Sequence, residues 1–432
     1  MLPLILALAL AAPNASQRPR YSTRDCQRSS AGRSTRGVPC GSLAFFEFAP
    51  ASGAGMGAVC GCVAVTGAKG EAITHTRASA AYCTKEGLAA TGITTTSMVS
   101  CGVNLPRVES DGTVNGLLME EARTNSALQS EDFSNVAWTS TATVTANTTT
   151  SPANALTADT LSDVSGAAIQ SSCQTITTAS ATQHTFSVYL AAGTLAKASI
   201  SLTGTGSSTG DCTASTTSLA STYTRLTCTS PAVYAGTLTA VTVCVNVGTV
   251  VGDTGTVIAW GAQHEIAGAF MTSYIATTAA AATRAIDSNS LNGSSFPGSP
   301  FSVSVYLTSE APSGVGATQG FLEGQIGSAS GAGFFNAGGN FRISTNNVSN
   351  ANLSFAPTVV AGTTYKTGAV NSGGNSTLYF NGAIVAGPSA TNNTAQPWST
   401  ATGVGYAPAG PWPANGIVSR ICLDSSITRC VP

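Results

Sequence analysis

The sequence predicts an all-β protein: two β-sandwich (jelly-roll-like) modules after a short β-rich, cysteine-containing N-terminal region. Three observations predict it. Thr and Val suit a pleated, half-buried surface, while 46 glycines and frequent Asn and Ser supply turns. From about Ser130 onward, runs of alternating apolar and polar residues recur between turn residues, without helical periodicity. Finally, Asn381-Gly382 separates two alternating apolar runs in "STLYFNGAIVAG". Both turn residues accept φ > 0, which lets a two-residue hairpin match the strand twist.

Taken in order, residues 1–17 carry an uncharged apolar run from Leu2 to Ala12 and then small residues. The run is too short to cross a bilayer as a helix, which needs ~20 residues. It fits the apolar centre of a secretory signal peptide, so no membrane span is expected there. Residues 18–41 hold six arginines among Ser, Gly and Pro and read as a basic flexible arm. Residues 42–129 form the β-rich N-terminal region, with "SLAFFEFAP", "CGCVAVTG" and "ITHTRASAAYCTK" as strand-like pieces.

Residues 130–285 contain about seven alternating runs, among them "QHTFSVYLAAG", "TAVTVCVNVG" and "GTVIAWGAQHEI", the pattern of a sandwich. A Ser/Gly/Pro-rich linker is expected at 286–300. A second sandwich is expected at 301–432, where "FSVSVYL" echoes "FSVYL" of the first.

The twelve cysteines split into six before residue 102, four between 173 and 244, and two at the end. Even counts per segment are what disulfides closed within each segment would give, and they suit an oxidising compartment. Cys422 and Cys430 bracket a short loop and are the easiest pair to propose. With a net charge of −1, the chain offers no general reason to expect a nucleic-acid partner.

The sequence holds no H-E-x-x-H and no phosphate loop. Glycoside hydrolysis needs two carboxylates flanking the bond. The second module has only Glu310, Glu323 and Asp424, and the Glu120, Glu121, Glu131 and Asp132 group lies in turn-rich sequence. His264 and Glu265 are adjacent on a strand and therefore face opposite ways. By the same two-residue period, Trp260 and Ala262 are expected to share a face with His264.

Binding is better supported. Trp398, Tyr406 and Trp412 lie in or between Pro/Gly/Asn-rich loops, where an aromatic face can meet a sugar ring. Trp138 and Trp260 read as core. No cofactor is expected, apart from a structural calcium ion for which Glu265 and Asp253 are the candidate ligands.

Two stretches carry a resemblance. "ITHTRASAAYCTKEGLAATG", "VNLPRVE" and "GLLMEEARTNSALQSEDFSNVAWT", together with the closing "WGAQHEIAGAFMTSYIATTAAAATRAID", span residues 73–287. They resemble bacteriophage and prophage tail-fibre or head-spike proteins. The segment between them looks like a jelly-roll carbohydrate-binding module. Residues 301–432 resemble a laminin-G or concanavalin-like sandwich.

Glu121 departs from the family pattern, standing where a proline is usual, and the cysteine pairs and signal-like start are unusual for particles assembled in the cytoplasm. The resemblance implies a non-catalytic adhesion protein whose partner is a cell-surface polysaccharide or glycan. It would be extracellular, secreted or at the cell surface, or alternatively a virion tail or head fibre. A homotrimeric, purely structural fibre subunit and a polysaccharide-degrading enzyme are the other readings.

Overall fold

The structure is a computed structural model. It describes residues 44–47, 73–84, 94–95, 98–110, 115–231, 233–234, 237–268, 270–292, 301–309, 319–326, 329–337, 340–344, 353–355, 357–372, 375–390, 401–404 and 415–424. These residues form thirty strands, numbered here in chain order, and no α-helix.

Two antiparallel sheets make the first sandwich. One runs β10 (Thr143–Thr150), β11 (Leu156–Asp163), β18 (Gly255–Ile266), β13 (His184–Ala192), β16 (Tyr223–Thr229) and β4 (Thr94–Thr95). Short strands β8 (Arg123–Asn125) and β19 (Ala282–Arg284) attach at the end of β18. The facing sheet runs β15 (Cys212–Thr216), β14 (Ala198–Thr205), β17 (Ala240–Val247), β12 (Ser171–Thr177) and β9 (Thr139–Ser140).

The alternation in "AVTVCVNV" becomes burial. Val241, Val243, Val245 and Val247 point inward and meet Phe186, Val188, Leu190 and Val257 across the core. Each fully buried side chain of this size contributes about 1.5–3 kcal/mol of gross burial energy.

The four middle cysteines close within this sandwich. Cys173–Cys244 joins directly opposed residues of β12 and β17, and Cys212–Cys228 staples β15 of one sheet to β16 of the other.

The second sandwich also has two sheets. One runs β28 (Ala383–Ala390), β27 (Asn375–Phe380), β26 (Thr364–Ser372), β21 (Phe301–Ser309), β30 (Gly416–Asp424), β7 (Asn115–Met119) and β6 (Arg107–Ser110), with β1 (Ala44–Glu47) also on β30. The other runs β2 (Ile73–Thr76), β20 (Ser288–Asn292), β29 (Ala401–Val404), β22 (Gln319–Ile326), β23 (Ala329–Ala337), β24 (Asn340–Ser344) and β25 (Leu353–Phe355). Strands β3 (Ala81–Thr84) and β5 (Met98–Cys101) form a separate pair.

Strands from residues 44–125 therefore sit in both sandwiches. Ile73, Val108, Leu117 and Met119 share one core with Val303, Val305, Leu307, Leu378 and Ile421. Residues 288–292, inside the stretch expected as a linker, are a strand paired to β2 and β29. At Asn381-Gly382 both residues have positive φ (49° and 84°), and Phe380 pairs Ala383 across the expected two-residue hairpin.

The strict two-residue period fails at one place in β18. Gly261 has φ +70°, and the register with β13 shifts between Ser187 and Tyr189. This bulge inserts an extra residue, so the faces change phase. Trp260 packs outside the sandwich with Tyr189 and Tyr274, whereas Ala262 lies in the inter-sheet core. Trp260 and Ala262 thus occupy opposite faces, contrary to the simple alternation.

Candidate functional site

The residues of the quoted motifs converge on one buried cluster. Arg77 follows β2, Arg107 opens β6, Glu120 follows the buried Leu117-Leu118-Met119 of β7, and Arg284 ends β19. With Asp287, all five are at most 1% exposed. Arg77 Nη1 donates to Asp287 Oδ1 at 2.8 Å, and Arg107 bridges Asp287 and Glu120, reaching Glu120 Oε2 at 2.6 Å. Arg284 Nη1 reaches the same Glu120 oxygen at 2.7 Å.

Ser273 completes the shell around Glu120, donating from its backbone N–H at 2.6 Å and from Oγ at 2.5 Å. Arg77 also donates to the carbonyls of Gly102 and Leu105, at 2.9 and 3.0 Å. His75 fits as a neutral ring: Nδ1–H donates to Asn289 Oδ1, and Nε2 accepts from Arg77.

Charges this deep persist only when paired and hydrogen-bonded. Burial alone would raise the Glu120 pKa. The Arg284 and Arg107 guanidiniums, aided by Ser273, outweigh it and hold the carboxyl down at about 2. Glu120 is therefore a fixed anion that ties the N-terminal strands to the closing segment of the first sandwich. A carboxyl so held has no proton to give near neutral pH.

Beside the cluster, at the surface, lies an open cleft of about 660 Å³. Glu121, Arg123, Thr124, Ser126, Ala267 and Thr283 are among the residues lining it. Glu121 and Arg123 form an ion pair. Arg123 also donates to the Ile266 carbonyl at 3.3 Å and lies 5.4 Å from the Phe270 ring centre.

The Arg123 Nε is buried and has no hydrogen-bond partner. Thr124 and Thr283 are directly opposed on β8 and β19, with hydroxyl oxygens 2.7 Å apart. The backbone of Glu121 is clamped from both sides: its N–H donates to Asn415 Oδ1 at 2.9 Å, and its carbonyl accepts from Arg284 at 2.5 Å. Ala267 holds a left-handed φ of +62° at the cleft wall.

The other candidates fall as follows. His264 and Glu265 face apart: His264 meets His184 across 3.0 Å, and Glu265 accepts from Thr272 N and Oγ1 at 3.0 and 2.5 Å. Asp253 is engaged by Lys197 at 2.7 Å and by Thr249 and Val250, and these donors, led by Lys197, hold its pKa well down. Glu265 lies near the end of β18 and Asp253 in the turn before its start, so the structure does not bring them together.

Among the described residues, no group of three His, Cys, Asp or Glu side chains is placed to hold a metal ion. Trp398, Tyr406, Trp412 and Cys430 lie outside the described residues. Cys422 is disulfide-bonded. Trp138 and Trp260 are buried, as expected of core residues.

Sequence reasoning missed the joint role of Arg77, Arg107, Arg123, Arg284 and Asp287. The available signal was the recurrence of arginine in every quoted motif of a chain with only 9% charged residues.

No protein-family model matches the chain, and no curated protein matches it. Among solved structures it is similar to domains LG4-5 of the mouse laminin alpha1 chain, with 13% identity over 62% of this chain and 88% of that one. The TM-score of that match is 0.22, which leaves the fold to be read from the sheets themselves.

Proposed function

We propose that the chain is a non-catalytic recognition protein of an extracellular or particle surface, binding a cell-surface glycan. The observation that carries this reading is the open cleft lined by hydroxyls and one carboxylate–guanidinium pair, on an all-β body. Sugars are recognised by such convergent polar groups set on a rigid scaffold. Disulfides within the first sandwich are consistent with an oxidising, extracellular setting. No helix of the described residues is long and apolar enough to cross a membrane.

The non-catalytic part of the reading is supported by Glu120, whose carboxylate is enclosed by two guanidiniums and Ser273. Binding of the purified chain to an immobilised glycan panel tests the reading, with reducing-end release from the same glycans measured in parallel. Retention of a glycan without release is the expected result. Cleavage, abolished by Asp132→Asn in a variant whose thermal melting is unchanged, would replace it with the enzyme reading.

A second reading, a structural fibre subunit assembled as a homotrimer, is favoured by exposed apolar side chains at one end of the first sandwich. Val164, Val250 and Val251 sit there in the loops between β11 and β12 and between β17 and β18. Light scattering after size exclusion, showing a stable trimer alongside an empty glycan panel, would favour it.

A further inference from the structure

We propose that the cleft beside the arginine–carboxylate cluster is a subsite for a neutral, polyhydroxylated ring, held through vicinal hydroxyls by Glu121 and Arg123. The inference rests on the glycan-recognition reading and specifies its ligand. Three features of the cleft lead to it.

The first is charge. Among the described residues, Glu121 and Arg123 are the two charged ones that line the cleft, and they are paired to each other. An anionic sugar would set its carboxylate or sulfate against Glu121, and a cationic one would face Arg123. Like-charge contacts of this kind discriminate strongly between ligands. A neutral ligand meets neither penalty.

The second is hydrogen-bond complementarity. A carboxylate only accepts and a guanidinium only donates, whereas each sugar hydroxyl does both. Two adjacent hydroxyls can therefore bridge the pair, one donating to Glu121 and its neighbour accepting from Arg123. The Thr124–Thr283 hydroxyl pair makes one bond between its members and keeps further capacity on both oxygens. Arg123 is 7% exposed and carries a donor, Nε–H, that the fold leaves without a partner.

The third is preorganisation. The Glu121 backbone is fixed by Asn415 and Arg284, and Arg284 is itself fixed by Glu120. Arg123 is pinned between Glu121, the Ile266 carbonyl and the Phe270 ring. Ala267 adopts a conformation disfavoured for a residue with a Cβ, and strain of this kind gathers at binding sites. Groups held in place by their surroundings lose little freedom when a ligand arrives. At about 660 Å³ the cleft is in the size class of small-molecule sites.

The test compares three full-length proteins on one panel of neutral, uronic-acid, sialylated and sulfated glycans: wild type, the double variant Thr124→Val/Thr283→Val, and Glu121→Gln. Thermal melting of each confirms folding; both threonines are at least partly exposed, so the valines are accommodated. Wild type is expected to retain neutral glycans. The double variant should weaken that binding by roughly tenfold or more, since each lost hydrogen bond is worth a several-fold change in affinity. Glu121→Gln, which frees the Arg123 charge, should shift retention towards the acidic glycans.

Wild-type binding that the double variant leaves unchanged would overturn the site while leaving glycan recognition standing. Retention of acidic glycans alone would overturn the neutral-ligand assignment. An empty panel for wild type would remove the recognition reading and this inference with it.

Discussion

Replacing Glu120 by glutamine keeps the shape of the side chain and removes its charge. In the native cluster both Glu120 oxygens accept hydrogen bonds, from Arg107, Arg284, Ser273 N–H and Ser273 Oγ. A glutamine amide must turn its NH2 group towards some of these donors. Arg107 would then keep Asp287, while Arg284 would lose its Glu120 carboxylate. Removing one partner of a buried pair costs about 3–5 kcal/mol.

An independent route agrees. The Glu120 pKa falls from 4.5 to about 2 on folding, which at about 1.4 kcal/mol per tenfold is about 3 kcal/mol. The folded-state pKa is depressed, so this stabilisation is full above pH 4.5 and is lost as pH falls towards 2. The assay is urea unfolding of wild type and Glu120→Gln, followed by tryptophan fluorescence at pH 7 and pH 3.5. Glu120→Gln should be about 3 kcal/mol less stable at pH 7, and the gap should narrow by about 1 kcal/mol at pH 3.5. A gap below about 1 kcal/mol at pH 7, or one that widens in acid, would refute the clamp.

Acid should weaken the fold through the buried histidine pair. His184 Nε2–H donates to the Ser180 carbonyl, so its Nδ1 accepts from His264 Nε2–H, and His264 Nδ1 is left without a partner. Burial, reinforced by His184, lowers the His264 pKa to about 3, so stability should fall as pH drops below 6.5, by about 2 kcal/mol at pH 5. The variant His264→Leu should flatten that part of a pH–stability curve, and an unaltered slope would count against it.

Removing Cys173–Cys244, which closes 71 residues, should cost about 4 kcal/mol by loop entropy, against about 3 kcal/mol for the 16-residue Cys212–Cys228 loop. Melts of the two double-alanine variants compare them, and the reverse order would argue that strand pairing masks the entropy term. Gly261→Ala places a Cβ 3.1 Å from the Tyr189 ring at φ +70° and should cost about 2 kcal/mol; a neutral melt would show that the bulge relaxes freely.

Much of the fold was legible because its signals are local. Alternation reports which residues of one strand face a core, and it identified β13, β17 and the Asn381-Gly382 hairpin without reference to any partner. The grouping of the four middle cysteines was likewise visible, although their pairing was not. The cleft was hidden because its walls come from β8, β19 and the end of β18, three short pieces that no local pattern connects.

The sequence alone determined the all-β class, the strand periodicity and the placing of an arginine in each quoted motif. Tertiary structure decided what those arginines do. Arg77 meets Asp287 across 210 positions, and Arg107 meets it across 180. A strand's period is dictated by its own backbone geometry, but a buried charge must find its counter-charge wherever the assembled core puts one. The same reason explains Trp260 and Ala262: a single bulge at Gly261, settled by packing against Tyr189 and Tyr274, reverses the faces that alternation would assign.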